Sequence, residues 1–259
     1  MSKPTIVIVP GSFTSASAYE TLASILTKQY SYEAIVAPLQ STARAPPENP
    51  ATMQEDAAYF RGIIEALSSQ GKDVVVVGHS YGGIVATEAV KQVTKPERQE
   101  RGKSADGVVG VVYVAALVAQ IGEPAIKVMG GQLGAVIKIM GDYMYFDTEA
   151  GAPYLYAGLP STEEALEAGR KYTTIHSTAS FLDRATNAAV DHVPVTYIHT
   201  EKDTIVPLER QNEIVENLKS RNAKKVSTIT INEGHMPQTL APDVLAKAIV
   251  EAITQSLGE

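Results

Sequence analysis

Residues 74–83, Val-Val-Val-Val-Gly-His-Ser-Tyr-Gly-Gly, constrain this chain more than any other stretch. Four consecutive β-branched residues without a polar face predict a strand buried on both sides, as in a parallel sheet. A Gly-x-Ser-x-Gly turn follows at once (Gly78, Ser80, Gly82), and residues 84–90 read as a helix. Strand, tight turn with a central serine, then helix is the context of a nucleophile elbow. Such a turn holds Ser80 in a strained conformation at the C-terminal end of its strand. Gly78 and Gly82 let strand and helix approach without a Cβ clash. The backbone N–H of Tyr81 is then expected near a helix N-terminus, placed to stabilise an oxyanion.

The remaining periodicity extends this unit in both directions. Strands are predicted at 5–9, 32–37, 108–115, 193–199 and 226–231. The intervening helices run to about residue 28, from Thr52 to about 69 with Glu55 completing a capping box, over 208–221 and over 242–257. Ser15 or Ser17 is the expected cap of the first. Residues 41–50 hold three prolines and read as a loop, and the charged run 95–106 as a solvated connection. Six strands interleaved with helices predict an α/β fold: a six-stranded, mostly parallel sheet with helices on both faces. The alternation lapses between the fourth and fifth strands. Residues 118–190 are therefore expected to form a helical lid inserted after the fourth strand, on a core of 1–117 and 191–259. This insertion holds Tyr143, Tyr145, Tyr154, Tyr156 and Tyr172 with Met129, Met140 and Met144, a composition suited to an adaptable apolar pocket.

A length of 259 residues fits one α/β domain with an insertion. The net charge of −7 argues against nucleic-acid and polybasic membrane partners. No apolar run is long enough to span a bilayer, and the first residues do not read as a signal peptide. With zero cysteines there are no disulfides, thiolate metal ligands or cysteine nucleophile. The expectation is a cytoplasmic protein, monomer or homodimer, acting on a small molecule.

A serine hydroxyl needs a general base near neutral pH. Of the five histidines, His79 lies inside the elbow, His199 within a strand and His192 at the wrong end of one. His235 follows the last strand in Asn-Glu-Gly-His-Met-Pro, where a parallel sheet keeps its site. It is the expected base. Asp203, in the loop after strand 193–199, is the expected acid, with Glu201 as competitor; the order Ser80, Asp203, His235 is that of nucleophile, acid and base in such folds. The fourth strand ends Val-Ala-Ala-Leu without an acid. The second oxyanion donor is expected from Gly11-Ser12-Phe13 after the first strand, with Ser12 N–H first. Gly11, Phe13, Met236, Tyr143, Tyr145 and His176 are the expected substrate contacts. Scattered histidines offer no metal site, and the glycines lack P-loop or dinucleotide spacing, so neither metal nor cofactor is expected.

Four segments, 6–12, 78–83, 201–207 and 234–236, together resemble the α/β-hydrolase superfamily, and within it the small branch of plant methylesterases and hydroxynitrile lyases. The resemblance implies an α/β-hydrolase fold, no cofactor and a substrate choice made in the middle of the chain, where only Ile175-His176-Ser177 resembles relatives. The branch usually carries His-Gly after the first strand; here it is Pro10-Gly11. Its lyases carry threonine at the position of Gly11 and lysine at that of Met236, so both residues point to the esterase side. The reading is a serine hydrolase for a small, mostly apolar carboxylic ester or lactone. The alternatives are cleavage or rearrangement at a C–C bond of a polyketide-like metabolite in the same site, and a non-enzymatic small-molecule receptor.

Overall fold

The structure is a computed structural model and describes residues 2–103 and 106–258. In chain order the first half comprises β1 (Thr5–Val9), α1 (Glu20–Lys28), β2 (Ala34–Val36), α2 (Gln40–Ala43), α3 (Met53–Ser69), β3 (Val74–His79), α4 (Gly82–Ala89), α5 (Lys95–Glu100) and β4 (Val108–Val114). The insertion holds α6 (Ala125–Val128), β5 (Ile137–Met140), β6 (Tyr143–Phe146), α7 (Thr148–Leu155), α8 (Thr162–Tyr172) and β7 (His176–Ser177). The chain closes with β8 (Val195–Thr200), α9 (Leu208–Asn222), β9 (Val226–Ile231), α10 (Pro237–Leu240) and α11 (Pro242–Leu257).

Six strands form one parallel sheet in the order β2-β1-β3-β4-β8-β9. The alternation of side chains along β3 splits its valines between two cores. Val74 and Val76 pack with α3, α4 and α9 on one face. Val75 and Val77 pack with α1 and α11 on the other. A strand with no polar face is thus covered on both sides, as its sequence requires. β3 lies inside the sheet, between β1 and β4, so every C-terminal loop that carries a candidate site residue opens on the same edge.

Three local expectations differ. Ser15 takes the N-cap position not of α1 but of a 3₁₀ turn over Ala16–Tyr19 that leads into it, and its hydroxyl bonds that of Ser17 instead of capping the backbone. The run 95–106 is not merely a connection, because Thr94 and Glu97 form a capping box that starts α5; residues 104 and 105 of that run lie outside the described residues. The proline-rich loop begins with the short helix α2. The Thr52–Glu55 capping box of α3 is formed as expected. The insertion carries helices as expected, and in addition a three-stranded antiparallel sheet in the order β5-β6-β7. That sheet has no counterpart in the sequence pattern, since its strands have four, four and two residues, too short to show a period.

Candidate active site

The elbow takes the form that its sequence demands. Ser80 has φ 52, the left-handed region, which a non-glycine residue enters only when its surroundings enforce it. Two hydrogen bonds to neighbouring chain do so: Ser80 N–H donates to Val114 O (3.1 Å), and Leu117 N–H to Ser80 O (2.9 Å). A Cβ at Gly78 would lie 2.7 Å from Gly82 O, and one at Gly82 would lie 2.4 Å from Pro10 O, so neither glycine is replaceable without moving backbone.

The loops that follow β8 and β9 meet Ser80 at this edge. His235 Nε2 lies 3.1 Å from Ser80 Oγ, and its Nδ1 lies 2.8 Å from Asp203 Oδ2. A carboxylate only accepts, so Nδ1 carries the proton and Nε2 presents its lone pair to the serine hydroxyl. Asp203 is held by four donors. Oδ2 also accepts from the Thr200 hydroxyl, and Oδ1 from the N–H groups of Ile205 and Val206. Burial opposes ionisation of Asp203, but the His235 ring and these donors outweigh it and hold the carboxyl below its usual range. The competitor Glu201 is exposed to solvent. Gln211 of α9 locks the base of this loop, bonding Thr200 N–H through Oε1 and the Thr200 and Val206 carbonyls through Nε2.

Ser12 and Tyr81 each present a backbone N–H at the elbow that has no acceptor among the described residues. The N–H groups flanking Ser12 are used. Gly11 N–H donates to the Tyr19 hydroxyl (2.9 Å), and Phe13 N–H faces His176 Nδ1 at 3.5 Å. A Cβ at Gly11 would lie 3.0 Å from His79 Nδ1 and 3.2 Å from Ser80 Cβ, so the bare glycine keeps the loop close to the elbow. His79 packs its ring 5.0 Å from that of His235, and burial, then the neighbouring His235, push it down to about 3. It stays neutral and places no second cation beside an imidazolium at His235.

A cavity of about 760 Å³ opens over Ser80. Gly11, Ser12, Phe13, His79, Ser80, His235 and Met236 form its floor; Val128, Met129, Leu133, Val136, Ile137 and Phe146 of the insertion form an apolar wall. Three expected contacts lie elsewhere. Tyr143 is buried, with its hydroxyl donating to Glu48 O, and Tyr145 sits half-buried opposite Lys138 in the β5–β6 hairpin; neither lines the cavity. His176 is buried behind the Gly11-Ser12-Phe13 loop. The Ser180 hydroxyl donates to Ser177 O, so it accepts from His176 Nε2–H, and Nδ1 is left to accept from Phe13. Burial pushes His176 down to about 3, which preserves this tautomer. Tyr19, Thr200 and Gln211 carry no signal in the sequence, where Tyr19 and Gln211 read as ordinary helix positions and Thr200 as the first residue of a loop. The wall of 128–137 follows no recognisable spacing.

The sequence profile of the alpha/beta hydrolase family matches residues 6–248. The chain belongs to the alpha/beta hydrolase family. This α/β hydrolase is 35% identical over 253 residues to "Probable hydrolase R7" of a Phoma species, covering 97% of this chain and 98% of the relative. A pyrethroid hydrolase from Sphingobium faniae JZ-2 has the same fold, with a TM-score of 0.71 at 16% identity over 99% of both chains. So does the methylesterase MES16 from Arabidopsis, with a TM-score of 0.69 at 21% identity over 98% of this chain and 100% of the other. The fold and the methylesterase-like resemblance read from the sequence agree with these matches. No helix among the described residues is long and apolar enough to cross a membrane.

Proposed function

We propose that this α/β hydrolase cleaves a carboxylic ester or lactone through an acyl-enzyme on Ser80. The observation that carries the reading is the continuous contact of Ser80 Oγ, His235 and Asp203 Oδ2 beneath an apolar cavity. His235 Nε2 takes the Ser80 proton as Oγ attacks the carbonyl carbon, and Asp203 stabilises the imidazolium through Nδ1–H. Negative charge develops on the former carbonyl oxygen, where the N–H groups of Ser12 and Tyr81 receive it. Collapse expels the alcohol, which takes its proton from His235. Water, deprotonated by the same imidazole, then releases the acid and regenerates Ser80.

The cavity sharpens the substrate. About 760 Å³ is within the range of sites for drug-sized ligands, and its insertion wall is apolar. This supports an apolar ester of up to that size as the substrate. A small-molecule substrate and a cytosolic setting fit the acidic, cysteine-free chain.

The test is a fluorophosphonate probe with peptide mass spectrometry, followed by an ester and lactone panel. The expected result is one adduct on Ser80 and turnover of bulky apolar esters. Turnover without any Ser80 adduct would favour instead acid–base chemistry by His235 at a C–C bond.

A further inference from the structure

The oxyanion loop has three consecutive backbone N–H groups, and the outcome of catalysis depends on which one is free. Phe13 N–H is turned towards His176. Gly11 N–H is taken by Tyr19, a residue of the 3₁₀ turn that does not line the cavity. Because the Tyr19 oxygen accepts from Gly11, its own proton is directed elsewhere, and His79 Nδ1 lies 2.6 Å away. On the far side of that ring, His79 Nε2 lies 2.8 Å from the backbone carbonyl of His235. A carbonyl only accepts, so Nε2 carries the proton and Nδ1 the lone pair, which is the tautomer that the Tyr19 hydroxyl requires. The bonds therefore run in fixed directions: Gly11 N–H to Tyr19, Tyr19 O–H to His79, and His79 N–H to His235 O. Tyr19 is 1% exposed, His79 3% and His235 5%, so water does not compete for these groups.

We propose that Tyr19 is a positioning residue for the oxyanion hole. Its hydroxyl ties the Gly11-Ser12-Phe13 loop through His79 to the loop that carries His235. The distance between the Ser12 donor and the serine–histidine pair is thereby set by one relay. Pro10 makes the relay necessary: it has no N–H and no polar side chain, so Gly11 offers the first donor by which the loop is held. The proposal rests on the serine-hydrolase reading above.

The test is Tyr19→Phe, which removes one oxygen and keeps the ring. Turnover is measured per Ser80 titrated with a fluorophosphonate, so that unfolded molecules do not count. The expected result is a fall in kcat of about tenfold, with KM within about twofold of wild type, as for loss of an interaction made in the transition state. The inhibition constant of an aryl trifluoromethyl ketone, whose serine adduct carries an oxyanion, should rise by about the same tenfold factor. The matching methyl carbinol, which cannot form that adduct, should bind unchanged. A purely structural role lowers the number of titrated sites and leaves per-site kcat and the ketone constant alone; either of these remaining within about twofold of wild type overturns the proposal. If Tyr19→Phe gives no titratable protein, His79→Asn replaces it. The Asn carboxamide oxygen stands in for Nδ1 and the link to His235 O is lost. A loss of at least about threefold in per-site kcat and ketone affinity is then expected, and no loss overturns the proposal. A wild type that neither labels nor turns over any ester fails the serine-hydrolase reading itself, an outcome distinct from labelled wild type with an unaffected Tyr19→Phe.

Discussion

The loops that carry Ser80, Asp203 and His235 and the wall of residues 128–137 that faces them are held by different forces. On the floor, polar groups specify position. All four bonds to the Asp203 carboxylate are short, Gln211 pins the loop behind it, and the elbow backbone is fixed at φ 52. On the wall, Gly130 and Gly131 turn the chain at positive φ, and the contribution to the cavity is apolar apart from Gln132. One polar tie is the Arg210 guanidinium, which donates from Nε (3.0 Å) and Nη2 (2.7 Å) to Val128 O. Directional bonds fix atoms to within a fraction of an ångström, as bond-making chemistry needs. Apolar packing without direction selects only size and shape, and it tolerates exchange.

Mutations should separate the two regions. The largest effect is expected from Ser80→Ala, which should lower ester turnover by roughly 10³-fold or more while circular dichroism shows an intact fold. Next is Asp203→Asn, which leaves the loop in place but no longer fixes the His235 tautomer; a fall in kcat of about 10²- to 10⁴-fold is expected in steady-state assays. The wall should respond differently. Leu133→Ala should raise KM for a bulky apolar ester by about three- to tenfold and change turnover of an acetate ester by less than about threefold. Equal losses on both substrates would erase the distinction between floor and wall.

One further prediction concerns stability and leaves turnover aside. Asp56 of α3 is buried beneath the floor, accepting from Ser41 N–H, the Ser41 hydroxyl and the Tyr81 hydroxyl. Burial pushes its carboxyl up to about 6, against the pull of these donors. An acid whose folded value lies above its unfolded value binds its proton more tightly when folded. Its contribution to stability is therefore fully present below about pH 4 and is lost as pH rises through about 6. Denaturant titrations from about pH 4 to about pH 7 should show wild type losing up to about 3 kcal/mol with rising pH relative to Asp56→Asn, because each tenfold change in proton affinity corresponds to about 1.4 kcal/mol. Parallel curves for the two proteins would show that Asp56 is not ionised at the cost described.

These regions also differ in how far the sequence exposes them. Ser80, Asp203 and His235 sit at fixed offsets from strand ends, so recognising the strands places the residues. Ser12 follows from the same rule. Tyr143, Tyr145 and His176 stand out in the sequence for their side-chain chemistry and their place in the insertion, and chemistry alone does not say which way a side chain faces. Tyr143 turns to the loop at Glu48, and His176 turns behind Phe13. Asp56 reads as a first-turn acid of α3, favourable there for the helix dipole, and nothing local shows that Tyr81 reaches it. Long-range partners of this kind become visible only when the sheet has brought residues 25 apart in sequence together.

Glu88, at the far end of the elbow helix, gives the insertion its second foothold. Its side chain is buried and accepts from the N–H groups of Thr186 and Asn187, the Thr186 hydroxyl and the Gln54 amide. The first foothold is Leu117 N–H on Ser80 O. The segment therefore leaves and rejoins the fold at two anchors borne by a single turn-and-helix unit, with Ser80 at one of them. Between those anchors the segment is tied again to the loop after β1, where Ser15 N–H donates to Tyr172 O and Thr174 N–H to Phe13 O. A shift of this helix would therefore carry Ser80 and both ends of the insertion with it.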